Sequence, residues 1–293
     1  MAYAFRVKGH FFLRRHASAI GINRYLCHIQ AIKHTMKKYI KDLTVHAAER
    51  PAKGYTLLKL RAAESDTLPP MEPGQFVEVR AGSASDTGLR RPISINFVTA
   101  DNSELWLLIH EIGARTRALG KLRKGDTLNC ILPLGNGFRI HAEGARVLLV
   151  GGGVGTAPLL YYGRRLREAG CRPTFLLGGR TAEGVLQGDL FARYGDVYLT
   201  TEDGSAGERG FVTDHSLWKG HFDAVATCGP KPMMQAVARK AREKGLPCEA
   251  SLENMMACGL GACLCCVEKT KTGNLCVCQS GPVFNTQDLQ WLD

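Results

Sequence analysis

Six of the chain's eleven cysteines fall within residues 258–278, and this crowding is the plainest chemistry in the sequence. Cys258, Cys263 and Cys266 are spaced C-x4-C-x2-C, with Cys276 and Cys278 further on. That spacing with a distant fourth thiolate is the plant-type [2Fe–2S] arrangement. Gly259 and Gly261 let such a loop wrap closely, so that backbone N–H groups reach the sulfurs. Zinc is the competing metal, but structural zinc favours Cys-x2–4-Cys knuckles and Cys276-x-Cys278 is a poor one. So many free thiols with no metal would invite oxidation. Spacing alone leaves Cys276 and Cys278 as rivals for the fourth place and gives Cys265 no role.

A second stretch, "LLVGGGVGTAP", sets Gly151, Gly152, Gly153 and Gly155 between an apolar run and a helical one, with Thr156 at the helix start. Glycines there let a backbone approach a pyrophosphate, and the helix start offers unpaired N–H groups. The spacing is not a strict G-x-G-x-x-G, and a tight turn packing a helix on a sheet is the plain alternative. Later strand ends carry Gly179-Arg180, Glu202-Asp203-Gly204 and Cys228-Gly229-Pro230. Ligands in parallel sheets bind beyond the carboxyl ends of strands. Cys228, Gly229 and Pro230 suit a flat nicotinamide ring, although a lone cysteine is more often core.

The elements that must position these groups follow from period. "YTLLKLRA", "GQFVEVRA", "RPISINFVTA", "LWLLIHEI" and "DTLNCILPL" are short apolar or alternating runs separated by turn residues, which predicts a small antiparallel barrel. After "HAEGAR" strands alternate with helices, as in a parallel sheet with crossovers. The expected units are a basic leader without fixed structure over 1–35, a barrel over 36–143, a nucleotide domain over 144–246 and a cysteine-rich unit over 247–293. The leader has three readings: a transit peptide, a basic arm, or upstream sequence before a start at Met36.

Hydrophobic residues make up 45% and charged residues 22% of the 293, an ordinary globular balance. The formal net charge is +11, but residues 1–41 hold nine Lys or Arg and no acid, leaving the rest at +2. A near-neutral body without basic and aromatic interleaving argues against a nucleic-acid partner. No run of 18 apolar residues is present, so no membrane helix is expected. Thiol-rich chains without a secretory signal point to a reducing cytoplasm.

"RRPISI" in a barrel, a glycine-rich turn and a late Cys-Gly-Pro together resemble the ferredoxin reductase superfamily. "GQFVEV", "RRPISI", "PLGNGF", "LLVGGGVGTAPL", "TTEDGSAGERGFVTD", "CGPKPMM" and "SLENMMACGLGACLCC…VCQSGPVF", in that order, narrow it. Over about residues 36 to 290 the chain resembles the electron transfer subunits of NAD-dependent dihydroorotate dehydrogenases. The resemblance implies an α+β multidomain fold: a flavin-binding barrel, a Rossmann-like domain and a [2Fe–2S] unit. It places FAD on the strand Arg91, Pro92, Ile93 and Ser94, with Arg91 at the pyrophosphate and Ser94 near the ring. It adds Leu108, Ile109 and His110, and the segment ending Arg115-Thr116. Where the family has Gly-x-Gly-Thr, this chain reads Gly113-Ala114-Arg115-Thr116, which puts close backbone approach in question. NAD falls to Gly151, Gly152, Gly153, Gly155, Thr156, Cys228, Gly229 and Pro230. The cluster falls to Cys258, Cys263, Cys266 and, by the family's last ligand, Cys278. The implied function is electron transfer from the FMN of a catalytic partner through [2Fe–2S] and FAD to NAD⁺ in pyrimidine biosynthesis, in a heterotetramer of two of each chain. The rival is a reductase subunit working between NAD(P)H and ferredoxin or another flavoenzyme.

Overall fold

The computed structural model describes residues 6–7, 10–11, 37–64, 66–80 and 88–292. The chain divides between Lys37 and Lys38. In the first unit the described part is an antiparallel hairpin, β1 (Arg6–Val7) with β2 (His10–Phe11). The expectation of a leader without fixed structure otherwise lies outside the described residues.

The second unit opens with six strands: β3 (Tyr39–Glu49), β4 (Tyr55–Arg61), β5 (Phe76–Val79), β6 (Arg91–Val98), β7 (Leu105–His110) and β8 (Thr127–Leu134). They close into a barrel in the order β3-β4-β7-β6-β5-β8, every neighbour antiparallel. The interior is written in alternate residues: Leu43 and Val45, Leu58 and Leu60, Val77 and Val79, Leu105 and Leu107, then Leu128, Cys130 and Leu132. Successive side chains of a strand face opposite ways, so this period of two fills one side of every strand. Each buried aliphatic contributes about 1.5–3 kcal/mol, and closure leaves no open edge. A short helix, α1 (Ala114–Leu119), follows β7.

Beyond Leu134 the pattern changes to β9 (Arg146–Gly152), a single tight helical turn over Gly153–Thr156, and α2 (Ala157–Glu168). Then come β10 (Arg172–Gly179), α3 (Gly188–Phe191), β11 (Asp196–Thr201), β12 (Glu208–Arg209), β13 (Ala224–Cys228) and α4 (Lys231–Glu243). The tail adds β14 (Cys248–Ser251), a hairpin of β15 (Val267–Thr270) and β16 (Gly273–Cys276), α5 (Val277–Ser280) and β17 (Val283–Asn285). The seven-stranded sheet runs β12-β11-β10-β9-β13-β14-β17. Strand β9 has β10 on one side and β13 on the other, so the glycine turn after it stands where the strand order reverses. Among the described residues no helix is long and apolar enough to cross a membrane.

One feature differs from the expected partition. The tail does not stand apart from residue 247 onward. Strand β14 pairs in parallel with β13, from Val225 opposite Cys248 to Cys228 opposite Ser251, and β17 closes the edge antiparallel to β14. Between β14 and β17, residues 252–282 leave the sheet as an excursion with both ends rooted in it. The physical reason is edge cover: β13 would otherwise present unpaired backbone to solvent.

Candidate functional site

The glycine turn is held by contacts that exclude side chains. A Cβ on Gly155 would lie 2.4 Å from Gly229 Cα and 2.6 Å from its nitrogen. A Cβ on Gly152 would meet the Met233 sulfur at 2.6 Å and Pro230 Cδ at 3.4 Å. The turn of Gly151, Gly152, Gly153 and Gly155 and the strand end of Cys228, Gly229 and Pro230 are therefore one surface. Thr156 is buried and donates its hydroxyl to the Gly153 carbonyl at 2.9 Å, which closes the turn. Cys228 is also buried; burial drives its thiol pKa well up, and the sulfur lies 3.8 Å from Glu253 Oε1.

Beside this surface lies a cleft of about 230 Å³ on the barrel. Pro92, Ile93 and Ser94 of β6, Leu108 and His110 of β7, and Thr116 of α1 line it together. Ile109 does not: it is 0% exposed and points into the barrel core, as alternation along β7 requires, so only its main chain is left for a ligand. Arg91 donates to the Arg90 carbonyl at 3.0 Å. Arg115 folds back over Gly88 and Leu89, donating to the Leu89 carbonyl at 3.4 Å, so its side chain leaves the turn it displaced a glycine from. Tyr55 stacks on His110 at 4.4 Å and stiffens that wall. A second cavity, lined by Arg50 and Lys121 among others, holds none of the expected site residues, and Arg50 is committed to Glu111, Thr56 and the Gly120 carbonyl.

The opposite wall of the cleft was not foreseen. Leu252, Glu253, Asn254, Met256 and Pro282, all from the tail, complete it. "SLENMMACG" is the stretch that holds four of these five, and its only legible signal was its position ahead of the cluster cysteines. Glu253 is exposed along the open cleft, yet the protein crowded around its carboxylate raises its pKa from the ordinary value, against the hydrogen bond with Cys228.

Two residues past Met256 comes Cys258. The loop after it carries left-handed backbone at Gly259, Gly261 and Leu264. This winding turns amides inward: Leu260 N–H donates to Cys258 Sγ at 3.3 Å and Gly261 N–H to Cys278 Sγ at 3.1 Å, while Cys278 N–H donates to Cys266 Sγ at 3.4 Å. Burial raises the Cys258 thiol pKa, but the N–H groups of Leu260, Cys263 and Ala262 and the Cys263 thiol outweigh it, bringing the value down to about 6. Cys278 is pushed up to about 12, first by burial and then by Cys266 beside it. Cys263 lies beside Cys258, and Cys266 lies beside both Cys278 and Cys276. Among the described residues no three His, Cys, Asp or Glu side chains converge on one ion. A two-iron cluster takes four thiolates, and sulfurs met by inward-turned amides fit that charge. Cys276 receives no backbone N–H from any described residue and points instead at the Gly261 carbonyl at 4.0 Å. None of the ten described cysteines is in a disulfide.

Under this loop lies Glu78, 0% exposed, with neither carboxylate oxygen hydrogen-bonded to any described residue. A Cβ on Gly259 would come within 2.6 Å of Glu78 Cγ. Burial, only partly offset by Arg90, moves its pKa from 4.5 to about 7. Below pH 4.5 the proton is held folded or unfolded, and nothing is lost. Between 4.5 and 7 only the unfolded chain releases it, so stability falls as pH rises, by about 3 kcal/mol once above 7. Glu78→Gln is therefore expected to raise the melting midpoint at pH 8 and to change it little at pH 5. Equal shifts at both pH values in thermal melts would contradict this.

Comparisons with known proteins agree with the geometry. Residues 253–290 match the family model described as the iron-sulfur cluster binding domain of dihydroorotate dehydrogenase B. The chain is 37% identical over 227 residues to the dihydroorotate dehydrogenase B (NAD(+)) electron transfer subunit of Bacillus caldolyticus, covering 74% of this chain and 86% of that one. It is 34% identical over 263 residues to the subunit of the same name from Fusobacterium nucleatum, covering 86% and 98%. Among solved structures, an NADH-dependent reduced ferredoxin-NADP oxidoreductase superimposes with a TM-score of 0.76 at 31% identity, covering 85% of this chain and 90% of that one. A ferredoxin reductase of carbazole 1,9a-dioxygenase shares the fold, with a TM-score of 0.62 at 20% identity over 73% of this chain and 68% of that one.

Proposed function

The chain belongs to the family of electron transfer subunits of NAD-dependent dihydroorotate dehydrogenases, and from that premise we propose that it carries electrons from the FMN of a catalytic partner to NAD⁺ in pyrimidine biosynthesis. A [2Fe–2S] cluster handles single electrons, a flavin one or two, and a nicotinamide a hydride, so the three together convert between one- and two-electron chemistry. The chain's own residues position these carriers. The sulfurs of Cys258, Cys263, Cys266 and Cys278 would hold the irons, and the amides of Leu260 and Gly261 would stabilise charge on the ligands. Pro92, Ile93, Ser94, Leu108, His110 and Thr116 hold the flavin ring. Arg91 supplies a guanidinium fork for its diphosphate, and the main chain around Ile109 and Arg115 completes that wall. Gly151 to Thr156 and Cys228 to Pro230 receive the nicotinamide nucleotide against the open side of the same cleft. Dihydroorotate itself binds on the partner.

One observation supports this reading above the others: Leu252, Glu253, Asn254 and Met256 line the flavin cleft, and the first cluster ligand follows two residues later. Carriers placed so are neighbours by covalent connection. Met255 is 81% exposed and Leu264 65% exposed, and Cys263 and Cys265 are exposed as well. An apolar rim there suits a docked partner, and we place two copies of each chain in the cytoplasmic complex.

Purified without oxygen, the isolated chain is expected to be yellow-brown, with two irons, two sulfides and one FAD. It should oxidise NADH with artificial acceptors and oxidise dihydroorotate only once the FMN subunit is added. Robust dihydroorotate oxidation by the chain alone would overturn the division of labour. The likeness to the ferredoxin-NADP oxidoreductase favours a second reading, a ferredoxin-linked reductase, and the identity of the co-purifying flavoprotein separates the two.

A further inference from the structure

Glu268 lies on β15 in the cluster-bearing tail, 8% exposed, and its carboxylate gathers donors from three separate stretches of chain. Lys231 Nζ, at the start of α4, reaches Oε1 at 2.9 Å, and Trp291 Nε1 reaches the same oxygen at 3.2 Å. Asn254 Nδ2 reaches Oε2 at 2.9 Å. Lys231 follows directly on the Cys228–Pro230 strand end, and Asn254 is part of the flavin cleft wall. One buried carboxylate therefore ties the cluster unit to both nucleotide sites.

The pairing also decides which way the Asn254 amide faces. An ammonium and an indole N–H only donate, so Oε1 accepts, and the lysine charge keeps the carboxylate ionised. An ionised carboxylate has no proton to give. The Asn254 NH2 must then face Glu268. The carbonyl Oδ1 takes no hydrogen bond from any described residue. It is the polar atom of Asn254 left for the cleft.

We propose that Glu268 is a positioning residue that locks the Asn254 carbonyl toward the flavin, where it accepts a hydrogen bond from N5–H, which the ring carries only when reduced. The choice of N5 follows from the neighbour: Glu253 touches Cys228, so this corner of the cleft borders the nicotinamide surface, and hydride passes between that ring and N5. An acceptor there favours the reduced flavin over the oxidised one. The inference rests on the flavin reading given above.

The test uses the full chain with its partner, comparing native protein with Glu268→Gln and Asn254→Ala. Glutamine at 268 offers its own NH2 and lets the Asn254 amide turn over. A net hydrogen bond of about 0.5–1.5 kcal/mol corresponds to roughly 2- to 13-fold. Each variant is expected to bind reduced FAD about tenfold less well relative to oxidised FAD, a fall of about 30 mV in the two-electron midpoint. The double variant should add little to either single one, because both remove the same contact. Iron content should stay at two per chain. If FAD is bound and its midpoint stays within twofold while only the melting temperature drops, Glu268 is a structural clasp and the inference is wrong. A chain that binds no FAD overturns the functional reading and this one with it.

Discussion

A chain carrying Cys278→Ser is expected to lose its iron, while one carrying Cys276→Ser keeps it. The two thiols are two residues apart, and composition cannot separate them. Their surroundings do. Cys278 is buried and receives the Gly261 N–H, whereas Cys276 is only half-buried and faces a carbonyl oxygen, which repels a thiolate. Serine at 278 removes a ligand outright, so the loss should exceed the 10–100-fold that a missing supporting contact costs in metal affinity. Iron and acid-labile sulfide should fall from two per chain towards none, with the brown absorbance. Electron delivery from the catalytic partner should fall at least about a hundredfold, while NADH oxidation with artificial acceptors, which needs only the flavin cleft and the glycine turn, stays near native. Iron kept by the 278 variant and lost by the 276 variant would move the fourth ligand to Cys276.

The second large effect is expected at Gly155→Ala. The added methyl would meet backbone atoms of Gly229 at 2.4 and 2.6 Å, and backbone cannot rotate away as a side chain can. The turn and the Cys228–Pro230 strand end must separate, and displacements of about 1 Å at a reacting centre cost roughly a hundredfold. The expected result is a kcat/KM for NADH about a hundredfold lower, with FAD and iron contents unchanged. Gly153→Ala is the contrast. Its Cβ meets nothing within 4 Å, but φ is +56°, so the penalty is left-handed strain of about 1–2 kcal/mol and appears in stability more than in turnover. Equal kinetic losses in the two variants would argue against contact between turn and strand end as the cause.

These expectations draw on features of unequal legibility. The barrel strands are readable because alternation is local: Leu58 and Leu60, or Leu128, Cys130 and Leu132, declare their inward side within a few residues. The glycine turn and the cysteine spacing are equally local. What sequence does not reveal is what closes over long distances. Glu253 and Asn254 meet Ser94 and His110 across a cleft, and no period links positions so far apart. Glu78 reads as the polar member of an alternating strand, yet the loop after Cys258 covers it. Ile109 shows the converse. Family resemblance assigns it to the flavin, but the same alternation that defines β7 turns its side chain into the barrel. The three residues of β17 are too short a run to announce a strand, and only pairing with β14 makes them one.

That last pairing bears on how the gene can be cut. Both feet of the iron-bearing excursion stand in one sheet, at Ser251 and Val283. A stop codon placed after the glycine-rich half would not yield a simpler, clusterless reductase. It would strip β14 and β17, bare the edge of β13 and invite self-association. A clusterless variant that still folds must instead shorten the excursion between its two feet, and recombination that preserves the protein is confined to the same window.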